Sequence, residues 1–74
     1  MILNDKQKEY IWDALDMGSV YAGEHHKYAK FATAKIGEWR LDKNNDTDYP
    51  YSLFVCIDYW DDLTKDFVDK VLNI

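Results

Sequence analysis

The nine residues from Ser52 to Trp60, SLFVCIDYW, constrain this chain more than any other stretch. Only Ser52 and Asp58 interrupt the apolar and aromatic run, and further carboxylates follow at Asp61 and Asp62. Side chains alternate between the two faces of a strand. A single strand here sends Leu53, Val55, Ile57 and Tyr59 one way, and Phe54, Cys56, Asp58 and Trp60 the other. Both faces are then mostly apolar, whereas a strand of a small sheet covered on one side alternates apolar with polar. The second face therefore needs a cover: helices of the same chain, a second copy, or a partner protein.

Chain length sharpens that demand. The 74 residues form one small acidic domain, 1–74. A single core of this size rarely contributes more than about 3–5 kcal/mol without a staple. Cys56 is the only cysteine, so an intramolecular disulfide is excluded. Within an apolar run it reads as a small buried hydrophobe of a reducing compartment. Three Trp, six Tyr and three Phe are more aromatic bulk than so small a core accommodates. Tyr and Trp are enriched at binding hot spots, which places some of them at an interface.

No stretch approaches the roughly 18 apolar residues of a membrane span, and the N-terminal MILNDKQKEY turns polar after three residues. The expectation is a cytoplasmic protein with no membrane partner. Formal charge is −5, from 14 acids against 9 Lys and Arg. Nucleic-acid phosphates are held by Lys and Arg with release of counterions, so direct nucleic-acid binding is not expected. The charge is unevenly spread. Residues 51–74 carry five acids and two lysines, whereas residues 19–41 carry two acids against Lys27, Lys30, Lys35 and Arg40.

The first helix is capped by Asn4 or Asp5 and stops at Gly18. It turns Leu3, Ile11 and Leu15 inward, with Trp12 beside them. Asp5, Glu9, Asp13 and Asp16 recur at helical spacing and line one acidic face. Residues 19–34 read as a second helix capped by Ser19, with Tyr21, His25, Tyr28, Ala32 and Ile36 on one face; a strand starting near Phe31 competes with it. A strand follows over Lys35–Leu41, then a loop, DKNNDTDYP, then the apolar run as the second strand of a hairpin. A last helix starts at Asp61 or Asp62 and runs to about Asn73, with Leu63, Phe67, Val68, Val71 and Leu72 as its stripe. Asp61 and Asp62 favour its N-terminus, and Asp62, Asp66 and Asp69 share another face. The predicted class is α+β, in the order α-α-β-β-α, with helices packed on a short antiparallel hairpin sheet.

Chemistry-bearing patterns are weak. His25 and His26 are adjacent and lack the i, i+4 spacing of a helical metal pair. A thiol among apolar neighbours is inert, and Gly18, Gly23 and Gly37 are isolated rather than a phosphate-binding loop. No catalytic residue, metal or cofactor is expected, and the protein is read as not an enzyme. The function expected is that of a protein-binding module. Tyr51, Tyr59, Trp60 and Trp39 would anchor the contact, while Asp58, Asp61, Asp62, Asp66 and Asp69 would steer a basic partner. Asp5, Glu9, Asp13 and Asp16 form a secondary acidic face. A row of carboxylates can imitate nucleic acid toward a groove that tracks phosphates, although interspersed lysines favour an acidic docking patch over a full mimic. The sharpest expectation is an inhibitor of the bacteriophage or mobile-element type, serving host-defence evasion by covering the basic surface of a nucleic-acid enzyme or defence complex. A homodimeric assembly module built on the aromatic surface is the alternative.

Overall fold

The computed structural model describes residues 1–22 and 34–74, with the backbone alone for 20–22. The elements run α1 (Asp5–Ala14), α2 (Met17–Ala22), β1 (Trp39–Lys43), β2 (Tyr51–Val55), β3 (Asp58–Leu63) and α3 (Lys65–Leu72). Residues 34–36 are also helical. The chain is α+β, as its patterning predicts, but its antiparallel sheet has three strands among the described residues, in the order β1-β2-β3.

The third strand comes from the apolar run itself. SLFVCIDYW reverses direction at Cys56 and Ile57, so that Val55 pairs with Asp58 across a two-residue loop. Cys56 has a φ of 60° and Ile57 does not share that sign. A positive φ at the first loop position alone is the backbone signature of a type II′ turn, whose twist suits a tight hairpin. The Cys56 amide donates to the Glu38 carbonyl at 2.8 Å, tying the turn to the chain just before β1.

β1 pairs with β2 from Trp39↔Val55 to Lys43↔Tyr51. Trp39, Leu41, Leu53 and Val55 all face the core, where Ile11, Val68 and Val71 of the helices meet them. Trp39 is 1% exposed, and its indole Nε1 donates to the Ala34 carbonyl at 2.7 Å. The Trp12 ring lies alongside, with centroids 6.2 Å apart.

Helix boundaries show what the local code can and cannot specify. Asn4 caps α1 through a reciprocal capping box. The Gln7 amide donates to Asn4 Oδ1 and the Asn4 amide to Gln7 Oε1, both at 2.9 Å. The helix ends at Leu15, ahead of the expected stop, because Asp16 takes a left-handed φ of 51°. Asp16 therefore leaves the helical row that holds Asp5, Glu9 and Asp13. Gly18 lies inside α2 and does not terminate α1. A Cβ there would stand 3.1 Å from the Trp12 indole nitrogen, so glycine permits a close approach. Ser19 is likewise internal to α2 rather than a cap.

The remainder of the expected second helix, including His25, His26, Tyr28, Phe31 and Ala32, lies outside the described residues, as does the side chain of Tyr21. Ile36 is 82% exposed and does not face the core. The helical turn at 34–36 delays the first strand to Trp39. At the other end, Asp61 and Asp62 belong to β3 and cap nothing; Thr64 is the N-cap of α3, its hydroxyl accepting from the Phe67 amide at 3.2 Å. Leu63 is a buried strand residue, and Leu72 is 39% exposed.

Two substitutions test this account. Trp39→Phe removes the indole donor to the Ala34 carbonyl, and should lower unfolding free energy by about 1–3 kcal/mol in chemical denaturation. At Asp16 the backbone sign decides. Asp16→Val should cost about 1–2 kcal/mol, while Asp16→Gly should not destabilise. Equal melting temperatures for the two would show that the α1–α2 joint is not held in this conformation.

Candidate functional site

Backbone parity determines what β3 presents. Pro50 and Cys56 turn their backbone groups toward the β1 side, through Asn44 N–H to Pro50 O at 3.0 Å and Cys56 N–H to Glu38 O. Alternation gives Ser52 and Phe54, which lie between them, the same orientation. Their β3 partners, Asp62 and Tyr59, consequently point their backbone groups to the outer edge. The Asp62 amide is met there by Asp61 Oδ1 at 2.8 Å.

A bulge lies between the Leu53 and Phe54 registers: Leu53 opposes Asp61 while Phe54 opposes Tyr59, which leaves Trp60 as the extra residue. That insertion lets Trp60 pack against the core while its neighbours Tyr59 and Asp61 stay exposed. β1 ends differently. Leu3 and Leu41 amides donate to the Trp39 and Met1 carbonyls at 3.0 and 2.9 Å, and the terminal amine donates to Leu41 O at 3.0 Å. Residues 1–3 thus close the outer edge of β1.

The sheet face away from the core carries two rows. In one, Arg40 lies 4.9 Å from the Phe54 ring centre, and Phe54 meets Tyr59 edge-on at 5.9 Å. In the other, Ser52 Oγ donates to Asp62 Oδ1 at 2.8 Å and Asn44 Nδ2 donates to Ser52 Oγ at 3.0 Å. Asp42 accepts from Arg40 Nε at 3.0 Å. Partial desolvation holds the Tyr59 phenol above its usual value of 10.0, reinforced by a hydrogen bond to Asp62 and by the charges of Asp62 and Asp61.

The expected site residues separate under this geometry. Asp58, Tyr59, Trp60, Asp61 and Asp62 are gathered on β3, with Asp58, Tyr59 and Asp61 exposed. Trp39 is buried and cannot anchor a partner. Tyr51 pairs with Leu63 and packs against the core side. Asp66 occupies the first turn of α3, while Asp69 is engaged by Lys65 at 2.8 Å, which raises the Lys65 ammonium. Asp62 shares no helix face with these two. On α1, Asp5, Glu9 and Asp13 are exposed, and Lys8 stands 3.5 Å from Asp5. A groove of about 360 Å³ between α1 and residues 35–39 mixes Asp5 and Glu9 with Lys8 and Lys35, and so carries little net charge.

Ile57, 93% exposed at the hairpin tip, is the surface residue that strand periodicity misassigns. Arg40, Asp42, Ser52 and Phe54 also join the site only through the fold. A signal for the β1 pair exists in the chain, since WRLDK alternates apolar with charged.

Because the Tyr59 phenol is raised, the stability it contributes is present below pH 10 and is lost as pH climbs through its folded value. Asp62→Asn should lower the Tyr59 titration toward 10, leaving the part due to desolvation, as read by ultraviolet difference absorbance. An unchanged titration would remove Asp62 from contact with the phenol.

No family model, no curated protein and no solved structure matches the chain.

Proposed function

We propose that this protein is an acidic protein-binding module whose docking element is β3 with its hairpin tip. The observation that carries the reading is the exposure of Ile57, Tyr59, Asp58 and Asp61 within one hairpin. Three aspartates fall within the six residues of DYWDDL, which hold no lysine or arginine. Apolar and aromatic tips supply contact area, while carboxylates beside them accelerate encounter with a positive surface and disfavour a negative one. The partner is therefore a protein with a basic surface.

Among basic proteins, nucleic-acid enzymes and defence complexes are the class whose working surfaces track phosphates. A module of this kind inhibits by occupying such a surface, the mode of action of bacteriophage or mobile-element inhibitors. Self-association through the same hairpin is the competing reading. It brings together edges that each bear three aspartates, and like charges placed opposite one another are destabilising.

Light scattering behind size exclusion separates the two, and should give a monomer at low and high salt. Proteins captured by the immobilised chain from a bacterial lysate should include basic nucleic-acid enzymes. With one of these purified, the association rate should fall as ionic strength rises. Asp58→Lys with Asp61→Lys should weaken that binding by about tenfold or more. A dimer stable at both salts, or binding indifferent to the double reversal, would overturn the reading.

A further inference from the structure

The docking reading leaves open how a partner engages β3, and the backbone supplies an answer. Resting on that reading, we infer that β3 receives an extended lysine- or arginine-bearing segment of the partner as an added strand of the sheet. Addition of a strand to an open edge is a general mode of peptide recognition, with main-chain hydrogen bonds giving affinity and alternate side chains giving selectivity.

The two edges of the sheet differ in the required way. That of β1 is closed by residues 1–3. On β3, Tyr59 and Asp62 direct their backbone groups outward, and no described residue outside β3 pairs with them. What meets the Asp62 amide is the carboxylate of Asp61, one residue away. A side-chain acceptor from the same strand is a replaceable partner: an incoming backbone carbonyl can take its place on the amide. The displaced Asp61 carboxylate then needs a counter-charge, and a lysine or arginine of the incoming strand provides it. Asp58, exposed at the turn end of β3, offers a second charge contact.

The same features exclude other occupants. A second copy would bring its own aspartates to the edge, and an acidic strand would leave Asp61 displaced without a cation. Trp60 takes no part, since the bulge turns its side chain to the core. By setting Tyr59 and Asp62 three positions apart instead of two, the bulge also spoils a regular ladder, which is how natural edges resist indiscriminate pairing. A flexible segment can meet both points, whereas a rigid flat edge cannot.

The experiment uses the full chain labelled with ¹⁵N and two peptide probes of about ten residues. One alternates lysine with threonine; the other has the same length and lysine count, with proline in place of threonine. Proline cannot donate to a ladder. The lysine–threonine peptide should shift the amide resonances of residues 58–63 and slow hydrogen exchange at Tyr59 and Asp62. The proline peptide should bind about tenfold more weakly, and Asp61→Lys should weaken the threonine peptide by a similar factor.

Equal binding of the two peptides, no response at β3, or shifts confined to the acids of α1 and α3 would overturn strand addition. The docking reading fails separately. It falls if the purified partner ignores reversal of Asp58 and Asp61. Strand addition alone falls if that partner is sensitive to the reversal but is displaced equally well by both peptides.

Discussion

Everything distinctive about this sheet depends on one left-handed residue. Cys56 at φ 60° reverses a run that would otherwise continue as a single strand. A left-handed L-residue costs roughly 1–2 kcal/mol. Here the Cys56 amide is anchored on the Glu38 carbonyl, and the turn aligns β2 with β3 from Val55↔Asp58 to Tyr51↔Leu63. The ladder and the burial of Leu53, Val55 and Leu63 offset the strain. The reversal also dissolves the puzzle of a strand apolar on both faces. Leu53 and Val55 go to the core, Cys56 and Ile57 form the turn, and Trp60 returns to the core through the bulge. Phe54 and Tyr59 remain on the far face, packed edge-on against each other with Arg40 over the Phe54 ring.

The acids acquire distinct roles from their positions. Asp66 complements the α3 dipole, Asp69 is matched by Lys65, and Asp62 is the acceptor of the Ser52 network. Asp58 and Asp61 remain exposed on β3. Charged residues on an edge strand protect a small sheet from pairing with its own copies. Under the proposed function the same charges would select a basic partner, so edge protection and recognition would draw on one device. No described helix is long and apolar enough to cross a membrane.

Part of the candidate site is legible in the sequence. The acidic and aromatic content of residues 58–62 stands out in the chain, and these residues do lie together on one strand. Trp39 defeats such a reading because aromatic identity says nothing of burial; its indole packs on Trp12 and reaches Ala34, contacts that exist only after β1 docks on the helices. Ile57 defeats it because a turn without glycine, asparagine or proline offers no local signal.

The sequence by itself determined the α+β class, a cap for α1 at Asn4 or Asp5, the inward positions Ile11, Trp12, Val68 and Val71 of the helices, and the acidity of the segment after the apolar run. These follow from side-chain chemistry and periodicity, which act over a few residues. Only the tertiary structure decided the left-handed turn at Cys56, the bulge at Trp60, the closure of β1 by residues 1–3, and hence which edge faces outward. Each depends on a hydrogen bond or a packing contact between residues distant in sequence, and no local pattern encodes such a partner.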